Sequence, residues 1–273
     1  MVGEIEQPHV RPWSTAMRVS TPDGVVWFKA SAAALAHDGP VSAALARIRP
    51  DVVLAPLALD VERGWSLVPD GGETLRMVLE RQPEPRRWIE ALALYSELQR
   101  DAAPDVEELV RLGLPDQRLM RIPELARDVG VGDAGPMCAE LAAFGLPETI
   151  QHDDFHDANV FVRAGGYRIF DWGDSCASHP LFSLTVGLRA FAHRFGLAED
   201  DREVEQAREA YLEPWADFGS RSELLSAARQ AERLGALCRA LTYRRIQVLS
   251  PEAFVTVYDE AVTGWLEDFR AAR

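Results

Sequence analysis

His152-Asp-Asp-Phe-His-Asp-Ala-Asn159, followed by Ile169-Phe-Asp-Trp-Gly173, is the part of the sequence that decides the fold. Asp154 precedes Asn159 by five positions, and two short apolar stretches separated by a glycine pair lead from Asn159 to Asp171. This pattern predicts a hairpin that returns Asp171 to the side of Asn159. Because Mg²⁺ prefers carboxylate and amide oxygens, we expect Asn159 and Asp171 to hold one magnesium ion.

Composition and charge exclude several classes of protein. The chain has 273 residues and a formal net charge of -14, without the basic cluster that nucleic-acid binding requires. No apolar run reaches the roughly 18 residues of a membrane helix, and the first residues lack the pattern of a signal peptide. Three separated cysteines without a CxxC pair fit a reducing compartment. We therefore expect a cytoplasmic protein that binds neither nucleic acid nor a membrane.

Lysine occurs only once in the chain. Lysine and arginine together number 29, and Lys29 is the single lysine among them. A preference for arginine is a compositional habit, but its one exception indicates a position where a wide guanidinium cannot replace a compact ammonium. Lys29 lies in Val25-Val-Trp-Phe-Lys-Ala30, which follows Ala16-Met-Arg-Val-Ser-Thr21 and the turn-forming Pro22-Asp-Gly24. These stretches predict a β-hairpin with Lys29 on its second strand.

The pattern of elements predicts an α+β chain of two lobes. Residues 1–70 form the predicted N-terminal β-rich lobe, and residues 71–273 form the predicted helical C-terminal lobe with a polar loop at its centre. In the first lobe, residues 52–59 and 64–68 are strand candidates. Residues 32–48 read as helical, with an interruption at Gly39-Pro40. Pro69-Asp-Gly-Gly72 then serves as the hinge.

Helical periodicity dominates after the hinge. Apolar residues recur at three-and-four spacing, and Trp88, Ala91, Leu92, Tyr95 and Leu98 form one stripe that we expect to pack in the core. The predicted helices cover residues 73–80, 85–100, 123–128, 137–144, 180–195, 203–218, 222–248 and 251–270.

The polar residues match the chemistry of phosphoryl transfer. That reaction needs a carboxylate for the proton of the attacking hydroxyl, hard ligands for magnesium, and a cation for the phosphates. His152 to Asn159, followed by Asp171-Trp172, resembles the catalytic and metal loops of the aminoglycoside phosphotransferase family, part of the protein-kinase-like superfamily. The typical loop of that family reads HGDLHPGN, followed by Asp-Phe or Asp-Trp. The order of elements agrees over nearly the whole chain, which implies a two-lobe kinase-like fold. The resemblance implies that residues 1–70 are the nucleotide-binding lobe and that residues 71–273 carry the catalytic and metal loops.

The resemblance assigns a role to each matching residue. Asp154 would be the catalytic base, Asn159 and Asp171 would bind Mg²⁺, and His152 would brace the catalytic loop. Lys29 would pair with the α- and β-phosphates of ATP or GTP.

The resemblance also implies where the rest of the nucleotide binds. Ser14 and Thr15 lie where a phosphate-covering loop belongs, although no GxGxxG motif is present. Val68 and Asp70 occupy the hinge, whose backbone would receive the edge of the base.

Four further positions depart from the family pattern. Asp38, beside Gly39-Pro40, stands where a helix glutamate usually pairs with the lysine. Asp153 and Asp157 replace a usual glycine and proline, and we expect both to be solvated loop carboxylates. Ser183 stands where the family often has an aspartate.

Two other functions are consistent with parts of this pattern. A metal-dependent phosphohydrolase would use the His and Asp residues of 152–157, with His179 or His193 as further ligands. That alternative leaves Asn159 and Lys29 unexplained. A kinase-like binding protein without turnover would not need an intact catalytic set.

The acceptor is expected to be a small molecule with a hydroxyl group. An aminoglycoside or amino sugar is the first expectation, by family analogy and because an acidic chain attracts cationic partners. The candidate carboxylates for such an acceptor are Asp153, Asp157, Asp174, Glu199, Asp200, Asp201, Asp259 and Glu260.

Overall fold

A five-stranded antiparallel sheet forms the N-terminal lobe. The computed structural model describes residues 5–132, 134–249 and 251–271, and of residues 251–259 it describes the helix but not the side chains. The sheet has the order β1-β2-β3-β5-β4. Its strands are β1 (Glu6–Val10), β2 (Ser14–Thr21), β3 (Gly24–Ser31), β4 (Ala58–Asp60) and β5 (Trp65–Pro69).

The predicted hairpin of β2 and β3 is confirmed. The two strands pair from Thr21 with Gly24 outward, and Gly24 has a φ of 124° that favours glycine in this tight turn. Lys29 pairs with Ala16 on one side and with Ser66 of β5 on the other, so it lies on the central strand of the sheet. A central strand is held on both edges, which fixes the position of its side chains.

Two predictions for the first lobe need correction. Residues 52–57 are not a strand of this sheet, because the backbone around Val53 bonds to Ile169 of the second lobe instead. Val52 and Val53 are buried, and the N–H of Ile169 donates to the Val52 carbonyl at 2.7 Å. The break in the helical stretch also falls before Gly39-Pro40, between a short 3-10 helix (Ala33–Leu35) and α1 (Asp38–Ile48). Pro40 is tolerated in the first turn of α1, where backbone N–H groups need no helical partner.

The C-terminal lobe is mainly helical, and most predicted helices agree with the structure to within a few residues. Pro214 ends the helix predicted for 203–218 early, because proline cannot donate to the preceding turn. The segment predicted for 180–195 begins as a 3-10 helix (Pro180–Phe182). A short helix over Val106–Arg111 was not predicted. The helices are α2 (Leu75–Arg81), α3 (Pro85–Ala102), α4 (Val106–Arg111), α5 (Ile122–Arg127), α6 (Gly135–Ala142), α7 (Ser183–Phe195), α8 (Arg202–Leu212), α9 (Arg221–Leu249) and α10 (Pro251–Ala271).

Two small antiparallel sheets position the polar loops. β6 (Thr149–Gln151) pairs with β9 (Cys176–Ser178), and β7 (Val160–Arg163) pairs with β8 (Gly166–Ile169). The second pair is the predicted hairpin. The first was not predicted, because strands of three residues carry too little alternation to be recognised.

The stripe predicted on α3 lies in the core. Trp88, Ala91, Leu92, Tyr95 and Leu98 are all 1 % exposed or less. The long helix α9 packs against α10, α7 and α6 and completes this lobe. No helix in the described ranges combines the length and apolarity needed to cross a bilayer.

Three histidines are buried in the interior. His37, His152 and His179 are 6 %, 0 % and 0 % exposed. Burial lowers the pKa of His152, and it lowers the pKa of both His37 and His179 to about 3. The folded protein therefore keeps these rings neutral where the unfolded chain protonates them.

The free energy of unfolding should fall as the pH drops from about 6.5 towards 3, because the unfolded state binds protons at these histidines and the folded state does not. Each such histidine contributes a slope of about 1.4 kcal/mol per pH unit in this range. We expect His179→Gln to lower the proton uptake on unfolding by about one between pH 4 and 6. Urea unfolding at several pH values measures this slope. An unchanged slope in a folded variant would contradict the assignment.

Candidate active site

Lys29 joins three elements at the cleft between the lobes. Its Nζ atom lies 2.6 Å from Asp38 Oδ2 on α1 and 2.6 Å from Asp171 Oδ1 after β8. Burial opposes the charged ammonium, but the carboxylates of Asp171 and Asp38 outweigh it and hold the Lys29 pKa above its usual value. The proposed pairing of Lys29 with Asp38 is therefore seen in the structure, despite the short side chain.

Asp38 also fixes the metal loop. Its Oδ1 atom accepts a hydrogen bond of 2.8 Å from the backbone N–H of Trp172. Asp171 itself has a φ of 67°, a left-handed conformation that costs energy for a residue other than glycine. Burial raises the pKa of Asp171, but the charge of Lys29 outweighs burial and the net shift is downward. The Asp171 carboxylate is thus held ionised beside the cleft.

Asp154 and Asn159 lie together on the catalytic loop. Asn159 Nδ2 donates to the Asp154 carbonyl at 3.0 Å and approaches Asp154 Oδ2 at 3.3 Å. The N–H of Phe170 donates to the Asn159 carbonyl at 3.2 Å, so the hairpin brings Asp171 next to Asn159 as predicted. Burial raises the Asp154 pKa, but the charge of Arg239 together with the hydrogen bond of His156 outweighs burial and leaves that pKa below its ordinary value.

His152 contacts the metal loop from the protein interior. Its side chain is fully buried, its Nε2 atom lies 3.0 Å from the Phe170 carbonyl, and its ring lies 4.7 Å from that of Trp172. The His152 backbone N–H donates to the Tyr95 hydroxyl at 2.7 Å. These contacts agree with a bracing role and give His152 no place in proton transfer.

Ser183 belongs to the same buried network. Its hydroxyl lies 3.0 Å from the Tyr95 hydroxyl, accepts from Gln99 Nε2 at 3.1 Å, and donates to Gln151 Oε1. The aspartate of the family pattern is thus replaced here by a set of neutral hydrogen-bonding groups on α3, β6 and α7.

The expectation that Asp153 and Asp157 are solvated is wrong. They are 1 % and 2 % exposed. Asp153 has a φ of 61°, which explains why the family pattern has glycine at this position and why aspartate, a tolerated left-handed residue, can replace it. Burial, opposed by Arg239, raises the pKa of Asp153 to about 6. Asp157 lies between Arg76 of α2 and Arg194 of α7, at 2.7 Å and 2.6 Å.

Arg239 is the site residue that the sequence analysis missed. It extends from α9 and contacts Asp154 Oδ1 at 2.9 Å and Asp174 Oδ2 at 2.7 Å. One sequence signal existed: Arg239 interrupts the apolar run Ala236-Leu-Cys-Arg-Ala-Leu241, where a charge must be buried with partners. The same run brings Cys238 within 3.8 Å of Cys176, although the two are far apart in the sequence.

A cavity of about 170 Å³ lies between these groups. Ser14 lines it, whereas Thr15 donates from its hydroxyl to the His9 carbonyl and is absent from the lining. Val68 and Asp70 are also absent from the lining. Asp70 Oδ1 accepts from Trp27 Nε1 at 2.8 Å, which ties it to β3. The lining residues are His9, Trp13, Ser14, Lys29, Leu35, Asp154, Asp171, Gly173, Asp174, Arg239 and Tyr243.

The other candidate carboxylates and histidines lie elsewhere. Glu199, Asp200 and Glu260 are exposed, and the side chain of Asp259 falls outside the described residues. Within the described part of the chain, no three His, Cys, Asp or Glu side chains form a cluster able to hold a metal ion. His156 Nδ1 instead accepts from the N–H of Ala158. The structure therefore gives no support to the phosphohydrolase alternative.

The comparisons with known proteins agree with this geometry. The sequence pattern of the phosphotransferase enzyme family (APH) matches residues 20–224, and the chain belongs to that family. Among curated proteins, none matches in sequence.

Solved structures show the same kinase-like fold. Plasmodium vivax ethanolamine kinase is 10% identical with a TM-score of 0.68, over 98% of this chain and 82% of that chain. The hygromycin B complex of aminoglycoside phosphotransferase APH(4)-Ia is 15% identical with a TM-score of 0.60, over 99% and 93%. Amicoumacin kinase with AMP-PNP and Ca²⁺ is 11% identical with a TM-score of 0.60, over 98% and 88%.

The contacts of Asp157 predict that its replacement by asparagine lowers the free energy of unfolding. Asp157→Asn removes the buried charge that two arginines share, and we expect a loss of about 2 kcal/mol of unfolding free energy, moderated because both arginines are partly exposed. The matched control is Glu73→Gln, which breaks the exposed pair between Glu73, just before α2, and Arg81 at the end of α2, and should cost under about 0.5 kcal/mol. Urea unfolding compares the two. Equal losses would show that Asp157 does not tie the loop to α2 and α7.

Proposed function

We propose that this phosphotransferase moves the γ-phosphate of ATP or GTP to a hydroxyl group of a small molecule, with Mg²⁺ as cofactor. The observation that supports this most strongly is the position of Lys29. It contacts both Asp38 and Asp171 across the cleft, so the one ammonium of the chain lies beside the predicted metal loop. Asp154 lines the same cleft, and Asn159 lies beside it in contact with Asp154. Together these groups supply the base, the metal ligands and the phosphate-binding cation that the reaction needs.

Asp154 acts as the base in this proposal. Its lowered pKa keeps the carboxylate ionised at neutral pH, so it can accept the proton of an acceptor hydroxyl. As the proton moves to Asp154, the hydroxyl oxygen forms a bond to the γ-phosphorus. The bond between that phosphorus and the bridging oxygen of the β-phosphate breaks, and the nucleoside diphosphate leaves with the electron pair.

The negative charge of the phosphates is bound by Lys29 and, through Mg²⁺, by Asn159 and Asp171 in this proposal. The Lys29 ammonium has three N–H donors. Asp38 and Asp171 accept two of them, which leaves the third for a phosphate oxygen. Asn159 and Asp171 offer the hard oxygen ligands that suit magnesium, and the β7–β8 hairpin places them side by side. When bound, Mg²⁺ supplies neutralisation of charge on the phosphates.

Nucleotide recognition rests on fewer contacts. Ser14 at the cavity supports a role for the β1–β2 connection near the phosphates. Binding of the base at Val68 and Asp70 stays a prediction, as does a role for Thr15. The N–H and carbonyl of Asp70 already pair with Val25 and Arg163, so the base would need other backbone groups of the hinge.

The acceptor is the least determined part of the proposal. The similar structures are named for ethanolamine, hygromycin B and amicoumacin substrates or complexes, so the fold accommodates acceptors of several kinds. Family likeness and the net charge of -14 favour a cationic aminoglycoside or amino sugar. Arg239 bears on this choice, because it brings a fixed positive charge to the catalytic carboxylate.

A kinase-like binding protein without turnover is the second candidate. The assembled set of Lys29, Asp154, Asn159 and Asp171 argues for turnover instead. A cytoplasmic location belongs to the proposal and is supported by three buried, unbridged cysteines.

Asp154→Asn should abolish turnover and retain nucleotide binding. We expect a loss on the order of 10² to 10⁴ in the rate of nucleotide consumption, because the variant has no base for the hydroxyl proton. The assay supplies Mg²⁺ with ATP or GTP and a panel of aminoglycosides, amino sugars, amino alcohols and uncharged alcohols. Calorimetry reports nucleotide binding.

Asp23→Asn, in the exposed turn between β2 and β3, is the matched control and should behave as wild type. Unchanged turnover in Asp154→Asn would contradict the proposal. Manganese-dependent hydrolysis of phosphoesters without nucleotide would favour the phosphohydrolase.

A further inference from the structure

Three carboxylates converge on one guanidinium at the catalytic loop. Arg239 contacts Asp154 at 2.9 Å, Asp174 at 2.7 Å and Asp153 at 3.6 Å. Three carboxylates around one point repel one another unless a positive charge lies among them. In this chain the cation is supplied by the protein itself.

The Arg239 side chain is buried and held by several contacts at this position. Its side chain is 4 % exposed, and it projects from the middle of α9 between Cys238 and Ala240, which are both fully buried. Its Nη2 atom donates to the Tyr243 hydroxyl at 2.8 Å, and its guanidinium lies 4.4 Å from the centre of the Tyr243 ring. The guanidinium is therefore held by ionic, hydrogen-bonding and ring contacts at once, and an incoming ligand would have to break all of them to displace it.

The position of Arg239 changes what the base can recognise. Oδ1 of Asp154 is bound to Arg239, whereas Oδ2 lies near Asn159 and His156 at 3.3 Å and 3.4 Å. An ammonium group next to the reacting hydroxyl would lie close to the guanidinium and be repelled by it. Arg239 also offsets part of the charge of the carboxylates that would otherwise attract the ammonium.

The rest of the cavity also offers apolar contacts to a ligand. Trp13, Leu35 and Tyr243 contribute apolar and aromatic surface to a lining that is otherwise mainly polar. An anionic acceptor is disfavoured as well, because the cations at the cavity are each bonded to carboxylates and carboxylates outnumber them in the lining.

We propose that Arg239 is a specificity-determining residue that occupies the position of an acceptor cation, so that the acceptor is a hydroxyl compound without a charged group beside the reacting hydroxyl. This inference rests on the proposed kinase function, and it departs from the cationic acceptor that family likeness and net charge favour. It favours uncharged sugars and apolar or aromatic alcohols over amino sugars and amino alcohols whose ammonium lies next to the phosphorylated position.

Matched acceptor pairs test the inference. Glucose with glucosamine, and choline with its uncharged carbon isostere, differ in charge and little in shape. For each pair, kcat/KM is measured with wild type, Arg239→Gln and Arg239→Lys. Arg244→Gln is the control, since Arg244 is exposed on the same helix and its guanidinium donates to Gln247.

Wild type should prefer the uncharged member of a pair by about tenfold or more, because the charged member meets Arg239. Arg239→Gln should lower that preference by at least about tenfold. Arg239→Lys should keep the direction of the preference, and Arg244→Gln should match wild type. A wild-type preference for the charged members overturns the inference even if Arg239→Gln does not fold. An unchanged ratio in folded Arg239→Gln overturns it too.

A binding measurement separates this inference from the kinase function. Methylguanidinium is titrated into wild type and Arg239→Gln with nucleotide present, and binding is followed by calorimetry. Saturable binding only in Arg239→Gln supports the inference and needs no turnover. Equal binding to both proteins contradicts it. If the proposed kinase function is wrong, wild type shows no nucleotide consumption that depends on Asp154, whatever the binding measurement gives.

Discussion

The Lys29 ammonium, 2.6 Å from carboxylate oxygens of both Asp38 and Asp171, is the contact on which the arrangement of the cleft depends. It joins the central strand of the N-terminal sheet, the first helix and the metal loop at one point. Asp38 extends this connection, because its second oxygen holds the backbone N–H of Trp172. A planar guanidinium would spread these carboxylates apart, whereas a compact ammonium can lie between them and still face a phosphate. This explains why a chain that otherwise uses arginine has lysine here.

Arginine performs the other charge-neutralising roles around the catalytic loop. Arg76 and Arg194 hold Asp157 from two helices, and Arg239 holds Asp154 and Asp174 from a third. Each of these carboxylates is buried or partly buried, and an isolated charge there would be costly. The forked guanidinium suits these positions because it can bond two oxygens at once. Ion pairs therefore link the loop to α2, α7 and α9 and offset part of its negative charge.

Much of the fold could be predicted because its signals are local. The β2–β3 hairpin, the α3 stripe and the return of Asp171 to Asn159 each follow from periodicity or spacing within a few residues. The burial of Asp153 and Asp157 could not be predicted, because their arginine partners lie tens of residues away. Arg239 was missed for the same reason. Residues 52–57 carry a strand-like apolar pattern, yet Val52 pairs with Ile169 of the other lobe, a contact that no local signal specifies.

The most direct test of the account is a crystal structure with a non-hydrolysable ATP analogue and Mg²⁺. The account predicts the metal at about 2.1 Å from oxygens of Asn159 and Asp171, Lys29 against the α- and β-phosphates, and the γ-phosphate facing Asp154. A metal ion bound by His152 or His156, or a nucleotide bound away from Lys29, would contradict it.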